Sequence, residues 1–148
     1  MKQVIALQPI SVEFTELLMS KYEMSIDDAK RLITQSETEQ LNNKYFKMFA
    51  VLNNEMCVGI VSLYEHSASV VSIGPDVFKE YRNCGYATEA MKTAMNIVKT
   101  KGYKIVCQQI RTNNAASIQL HTKLGFETDN YTFLNKNKNE VKIYLKVL

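Results

Sequence analysis

The chain has 148 residues, 46% hydrophobic and 22% charged, with a formal net charge of +3 from 18 basic and 15 acidic side chains. This length suits a single domain, residues 1–148, with one core. The net charge is too small to indicate nucleic acid as a partner by itself, so we do not expect one. No apolar stretch approaches the roughly 20 residues of a membrane helix. Because the N-terminus lacks the apolar segment of a signal peptide, we expect a cytoplasmic protein.

Cysteine and histidine are too few and too scattered to build a structural metal site or a disulfide framework. The cysteines are Cys57, Cys84 and Cys107, and the histidines are His66 and His121. An odd number of widely spaced cysteines without a CxxC pair does not predict disulfides. We therefore expect no metal site.

The first half of the chain predicts a strand, two helices and a hairpin. Ser25 stands three residues before Asp28, a pattern close to a capping box that opens the second helix. Asparagine tolerates positive φ, so Asn53-Asn54-Glu55 predicts the hairpin turn. The predicted elements are a strand at 4–7, helices at 11–21 and from residue 25 through 33, and strands at 45–52 and 56–64.

The second half alternates strands and helices. Pro75 interrupts a strand at 69–78, and because proline donates no hydrogen bond we expect a bulge there. Helices at 85–101 and 114–124 end at Gly102 and Gly125, with a strand at 103–110 between them and a closing hairpin at 126–134 and 140–147. Together, these elements predict an α/β (α+β) domain with a mixed sheet of six to seven strands and about four helices.

The loop at 82–87 has the character of an anion site. It joins the end of a strand to the start of a long helix, where unpaired N–H groups and the helix dipole favour negative charge. Gly85 and Ala87 leave the main chain accessible, and Arg82 adds a positive charge. Neither a Walker A loop nor a dinucleotide fingerprint is present. The alternative is a plain helix entry with a glycine and a surface arginine.

A second segment, 113–126, follows the next strand. Asn114 stands where a helix cap belongs, and its amide could also reach a ligand. Ligands of open sheets favour clefts beyond the carboxyl ends of strands. We therefore expect both segments to border one cleft.

Arg82-x-x-Gly85-x-Ala87 resembles the Gln/Arg-x-x-Gly-x-Gly/Ala motif of the GNAT superfamily of acetyltransferases. Asn114-x-x-Ser117, followed by Lys-Leu-Gly-Phe at 123–126, resembles the second motif of that superfamily. The stretch 85–90 is most similar to the branch with ribosomal-protein N-terminal acetyltransferases. The resemblance covers about 69–126 and implies a sheet splayed between its fourth and fifth strands, with acetyl-CoA as co-substrate and direct transfer to a primary amine.

The resemblance also implies the residues that bind the cofactor. Pantetheine would bond the main chain at 74–78, and the pyrophosphate would lie on the amides of 83–88, with an N–H near Val77 or Phe78 polarising the thioester. The implied binding residues are Asp76, Val77, Phe78, Arg82, Asn83, Cys84, Gly85, Tyr86, Ala87, Thr88, Asn114 and Ser117.

The implied catalytic groups depart from the family pattern. His121 stands where the family often has a tyrosine as general acid, and imidazole can donate a proton when charged. The alternatives are a packed or surface histidine, or catalysis by positioning alone. Gln109 stands where some relatives have a carboxylate base, which leaves Glu65, His66 and Asp76 as the nearest titratable candidates.

Three functions stay open from the sequence. The first is an N-acetyltransferase acting on a small molecule, a peptide or a protein N-terminus. The second is a non-catalytic acyl-CoA sensor, and the third is an aminoacyl-tRNA acetyltransferase. Four tyrosines could line an acceptor pocket, and exposed strand edges near the C-terminus would permit a homodimer; the tyrosines are Tyr22, Tyr45, Tyr64 and Tyr131.

Overall fold

The computed structural model describes residues 5–148 as a sheet with helices on its faces. The strands are β1 (Ile5–Pro9), β2 (Gln40–Leu41), β3 (Lys44–Asn53), β4 (Met56–Glu65), β5 (Val70–Val77), β6 (Ile105–Arg111), β7 (Thr132–Leu134) and β8 (Glu140–Val147). The helices are α1 (Thr15–Tyr22), α2 (Ile26–Glu37), α3 (Tyr86–Thr100) and α4 (Ala115–Lys123). Val4, predicted to begin the first strand, lies outside the described residues.

The sheet has the order β1-β3-β4-β5-β6-β8-β7, with β2 beside β3. Strands β5 and β6 are parallel and pair only at Val70 with Ile105 and Val71 with Val106. Beyond these pairs the two strands diverge, which confirms the predicted splay. The described residues form eight strands rather than six to seven, because the two-residue β2 has no hydrophobic pattern of its own.

Two apolar clusters lie on opposite faces of the sheet, because alternate residues of β3 and β4 point to opposite sides. Helices α1 and α2 cover the first cluster, and α3 and α4 pack against the second. The first cluster contains Ile10, Leu18, Ala29, Ile33, Phe46, Met48, Ala50, Ile60 and Phe78. The second includes Phe49, Val51, Val61, Leu63, Val71, Ile73, Met91, Ala94, Val98, Val106, Ile110 and Tyr144.

The structure confirms the predicted cap at Ser25, the turn at Asn54 and the helix ends at Gly102 and Gly125. The Ser25 hydroxyl accepts a hydrogen bond of 3.1 Å from the Asp28 N–H at the start of α2. Gly102 and Gly125 follow α3 and α4 with φ of +100° and +85°. At such angles an L side chain is strained, so glycine sets both helix ends. Asn54 turns the β3–β4 hairpin with φ of +57°.

The predicted bulge at Pro75 is wrong, because β5 pairs with β4 without interruption from Val71 to Val77. The Phe78 N–H donates to the Val58 carbonyl at 2.9 Å. In an antiparallel ladder, the main-chain groups of successive residues point alternately toward and away from the partner strand. Because the Phe78 N–H bonds to β4, the main chain of Pro75 points toward β6, where the proline has no N–H to donate. The two strands have already diverged there, so the proline breaks no ladder. A register shift occurs instead between β3 and β4, at Val51/Leu52.

The predicted strand at 126–134 is much shorter, because local turns replace most of its ladder. Only Thr132–Leu134 is a strand, preceded by an isolated bridge from Glu127 to Leu145. The Asp129 carboxylate accepts from the Tyr131 N–H at 2.9 Å. Such side-chain turns compete with strand pairing.

Gly59 packs its Cα directly against the main chain of β5. A Cβ there would lie 2.4 Å from the Asp76 carbonyl oxygen and 3.0 Å from the Val77 Cα. We expect Gly59→Ala to lower the free energy of unfolding by about 2 kcal/mol, because main chain cannot yield as a flexible side chain does. Gly74→Ala is the matched control, since its Cβ would meet only a Tyr64 ring carbon at 4.0 Å. Equal losses in urea unfolding would contradict this reading.

Candidate active site

The loop before α3 forms a concavity of main-chain amides. Gly85 caps the helix with φ of +83°, and a Cβ built on it meets nothing within 4 Å. The Glu89 N–H donates to the Gly85 carbonyl at 3.3 Å as the first helical bond. The N–H groups of residues 86–88 therefore have no acceptor within the helix. With the positive φ of Asn83 (+62°), the loop has the form of an anion nest.

Arg82 holds a positive charge beside this nest. Its Nε donates to the Val77 carbonyl at 3.1 Å, which ties the side chain to the end of β5. None of the ion pairs formed by residues 5–148 includes Arg82. Cys84 is exposed, and its thiol lies 3.5 Å from the Arg82 carbonyl. The guanidinium is thus available to an anion in the loop.

Tyr86 and Phe78 differ from the other predicted binding residues because their side chains lie in the core, 7% and 5% exposed. The Tyr86 hydroxyl accepts from Asn53 Nδ2 at 2.8 Å, so only its main chain can meet a ligand. The Phe78 N–H donates to Val58 and its carbonyl accepts from Tyr81 at 2.9 Å. The Phe78 N–H is therefore already used and cannot also polarise a carbonyl, whereas a contact between Phe78 and the cofactor stays a prediction.

Val77 is the better candidate for that donor. By the alternation of the β4–β5 ladder, the main-chain groups of residues 73, 75 and 77 face the diverging strand β6. The Val77 carbonyl accepts from Arg82. Its N–H lies on the same open side, where a ligand could accept from it.

Beyond the splay lies a cavity of about 290 Å³, here named the strand cleft. Ile73, Pro75, Gln108, Ile110, Ser117 and His121 are among the residues that line it. Two of the residues predicted from sequence, Ser117 and His121, therefore meet β5 and β6 in one cavity.

Gln108 bridges the two diverging strands at the bottom of this cleft. Its Oε1 accepts from the Ile73 N–H at 2.9 Å, and its Nε2 donates to the Ile73 carbonyl. The same Nε2 lies 3.1 Å from His121 Nε2. The side-chain amide of Gln108 thus makes the two hydrogen bonds to Ile73 that a neighbouring strand would make, at a point where the parallel ladder has ended.

His121 is buried, with 3% of its surface exposed, and both ring nitrogens have partners. Its Nδ1 lies 2.7 Å from the Ser117 carbonyl, which can only accept, so Nδ1 carries the proton. Nε2 then accepts from Gln108. Burial lowers the pKa of His121, with the Ser117 hydrogen bond opposing this shift. The side chain is therefore a neutral imidazole whose lone pair is already used.

This arrangement makes the stability depend on pH. A histidine whose pKa is lower in the folded state stabilises the fold above its unfolded pKa of about 6.5, and this contribution falls as pH drops further. We expect His121→Gln, which keeps an acceptor for Gln108 and cannot titrate, to lose less stability between pH 7 and pH 5. Urea unfolding of both proteins at pH 7 and at pH 5 measures the difference. An equal loss of unfolding free energy between pH 7 and pH 5 in both proteins would contradict this prediction.

Asn114 caps α4 and orients Ser117. Its Oδ1 accepts from the Ser117 N–H at 3.1 Å. The Ser117 hydroxyl lies 3.3 Å from His121 Nδ1 and lines the strand cleft. The predicted cap is confirmed, and a contact between Asn114 and a cofactor stays a prediction.

A second cavity, of about 340 Å³, lies on the opposite side of β5 and is here named the side pocket. Tyr22, Met24, Leu32, Met48, Ile60 and Asp76 are among its lining residues. The Tyr22 hydroxyl donates to Asp76 Oδ2 at 2.8 Å. Burial, and then this hydrogen bond, raise the pKa of Tyr22 well above its ordinary value. Asp76, predicted among the cofactor residues, therefore presents its carboxylate to this pocket.

The two cavities adjoin. Tyr64, Gly74 and Pro75 line both the strand cleft and the side pocket. Gly74 has no side chain, so nothing from this position separates them. The splayed part of β5 is thus the boundary between the two cavities.

The other predicted candidates lie only partly within the two cavities. Glu65 accepts from the Tyr103 hydroxyl at 2.8 Å, and His66 contacts the Ser72 hydroxyl. Neither residue lines the strand cleft or the side pocket. Of the four tyrosines, Tyr22 and Tyr64 line the side pocket, but Tyr45 and Tyr131 do not.

Comparison with known proteins agrees with this geometry. The sequence matches the acetyltransferase (GNAT) domain over residues 8–127. The chain belongs to the GNAT family of acetyltransferases. The loop at 82–87 and the segment from Asn114 to Ser117 lie within the matched part of this GNAT domain. No curated protein sequence matches the chain at a significant level.

Solved GNAT structures share the fold over nearly the whole chain. One is RimL, a ribosomal L7/L12 alpha-N-protein acetyltransferase in complex with coenzyme A, with TM-score 0.83, 13% identity, and 99% of this chain and 96% of that chain covered. Another is the spermidine/spermine N-acetyltransferase SpeG from Vibrio cholerae, with TM-score 0.81 and 15% identity. That comparison covers 97% of this chain and 95% of the SpeG chain. A third is the microcin C7 self-immunity acetyltransferase MccE in complex with acetyl-CoA and AMP, with TM-score 0.79 and 20% identity. That comparison covers 99% of this chain and 94% of the MccE chain.

Two further observations concern the described residues of this GNAT domain. None of their helices is long and apolar enough to cross a membrane. Within residues 5–148, no group of three histidine, cysteine or acidic side chains is placed to hold a metal ion.

Proposed function

We propose that this chain transfers the acetyl group of acetyl-CoA directly to a primary amine. The observation that carries the proposal is the pair of adjoining cavities that share Tyr64, Gly74 and Pro75. One opens between the diverging strands, and the other holds a carboxylate. A thioester in the first and an amine in the second would meet at the shared boundary.

The residues present suit the donor. The amides of 83–88 and Arg82 provide a site for the pyrophosphate, and the open space at Gly85 lets an anion approach them. The free main-chain groups on the β6 side of β5 suit a chain that bonds like an added strand, such as pantetheine. Asn83, Cys84, Ala87 and Thr88 would contribute through their main chain.

The transfer itself needs little covalent chemistry from the protein. An amine that binds as an ammonium ion first gives up one proton to water. Its neutral nitrogen then attacks the thioester carbonyl carbon, a C–N bond forms, and the C–S bond breaks with its electron pair going to sulfur. The nitrogen then loses a proton and the thiolate gains one, so the products are an amide and coenzyme A thiol. The Val77 N–H would polarise the carbonyl, and the two cavities would hold the reactants close together.

We assign His121 a positioning role instead of the general-acid role that the sequence suggested. The support is its neutral imidazole, with Nδ1 bound to Ser117 and Nε2 accepting from Gln108. A residue that acts as an acid needs a proton to donate toward the substrate. Here His121 instead fixes the amide of Gln108, which in turn holds Ile73 of β5.

Release of free thiol from acetyl-CoA in the presence of a panel of primary amines tests the proposal. The expected result is amine-dependent release, together with acetyl-CoA binding seen by calorimetry. Tight binding without release on any amine would replace the proposal with the acyl-CoA sensor.

A further inference from the structure

We propose that the acceptor is a small monoamine, with one ammonium group on a compact apolar body. The inference rests on the proposed function and concerns the side pocket, which that function assigns to the amine. Three features of the pocket carry it: a single carboxylate, an apolar wall and a small volume.

Asp76 supplies the only charge among the residues that line the side pocket. One of its oxygens accepts from the Tyr22 hydroxyl at 2.8 Å. None of the ion pairs within residues 5–148 includes Asp76. A half-buried carboxylate without a cation is well suited to an ammonium group, because charge-assisted hydrogen bonds are the strong ones.

Apart from the hydroxyl groups of Tyr22, Ser62 and Tyr64, the other side chains that line the side pocket are apolar. Met24, Leu32, Met48 and Ile60 provide this apolar wall from α2, β3, β4 and the turn before α2. A second ammonium group placed against these side chains would lose its water without meeting a negative charge, which is costly. This disfavours a polyamine and favours an aliphatic or aromatic substituent.

The volume of the side pocket limits the size of that substituent. At about 340 Å³ the pocket is at the small end of the range for ligand sites. A single compact amine would fill it, whereas a peptide would place most of its length outside. Free monoamines are therefore the expected class.

The experiment compares phenethylamine and isopentylamine with spermidine and with a leucine-led peptide amide in the thiol-release assay. Acetyl-CoA binding is measured in parallel. We expect the monoamines to be used with kcat/KM at least about tenfold above the other two. Better use of spermidine or the peptide would overturn this inference and leave the proposed function intact. Acetyl-CoA binding without release on any amine would overturn both.

Two variants locate the effect in the side pocket. Asp76→Asn, which removes the charge and keeps the shape, should raise the KM for phenethylamine about tenfold while acetyl-CoA affinity changes less than about twofold. Asp27→Asn is the matched control, since Asp27 is exposed in the first turn of α2. An unchanged KM in Asp76→Asn, or an equal rise in Asp27→Asn, would overturn the assignment.

Discussion

Gly85→Asp is expected to abolish measurable acetyl-CoA binding, with a loss of affinity of at least about 100-fold, or ~2.7 kcal/mol. Two physical effects act together. The residue has φ of +83°, where a side chain is strained, and the space above it is open, so a carboxylate would project into the amide concavity. There it would occupy the free N–H groups and repel the pyrophosphate. Calorimetry with acetyl-CoA measures the loss.

Gly85→Asn separates charge from backbone strain. Asparagine has nearly the shape of aspartate, tolerates positive φ and carries no charge. We expect it to weaken binding by only about tenfold, from bulk and competing hydrogen bonds. If both variants bind as tightly as the parent, the pyrophosphate lies elsewhere and the loop assignment fails. Thermal unfolding of each variant shows that the fold is retained.

Local signals predicted the start of α2 and the ends of α3 and α4 well, because each of these boundaries depends on one or two residues. The helix predicted at 11–21 begins only at Thr15, because residues 12–14 form a 3-10 turn. Ser25 caps α2 through its own hydroxyl, and Gly102 ends α3 because φ is +100° there. Proline was less informative. Pro75 predicts an irregularity only if its missing N–H faces a neighbouring strand, and that depends on the splay between β5 and β6, which is a tertiary feature.

The site was predictable as a loop but not as two cavities. The spacing of Arg82, Gly85 and Ala87 marks the amide nest, whereas the side pocket joins α1 and α2 to strands far along the chain. Tyr22 and Asp76, which meet at 2.8 Å, are 54 residues apart. No periodicity in the sequence links such a pair.

Gln108 was missed although the sequence carried a signal for it. Val106 and Ile110 lie on one buried face of β6, and Gln108 lies between them on the same face. An amide among buried apolar residues needs hydrogen-bond partners. That requirement predicts a network without saying where its partners are, and the structure supplies Ile73 and His121.

Gln108→Met is therefore expected to be the most damaging change in the strand cleft. Methionine has a similar length, but it leaves the Ile73 N–H, the Ile73 carbonyl and His121 Nε2 without their partner. Each unsatisfied group costs about 1–3 kcal/mol, reduced where water can enter, so we expect a loss of about 3 kcal/mol in the free energy of unfolding. Gln109→Met, the same change at the exposed neighbour, is the control.

The consequence for function should be visible beyond stability. Gln108 bonds to β5 at the point where β5 diverges from β6. Its replacement should therefore leave the Ile73 N–H without a partner and make the width of the strand cleft variable. We expect fast hydrogen exchange at Ile73 and about a tenfold lower kcat/KM for acetyl-CoA at a temperature where the variant stays folded. A destabilised variant with normal kcat/KM would limit Gln108 to a structural role. Loss in both measurements would show that one side-chain amide sets the geometry of the cleft.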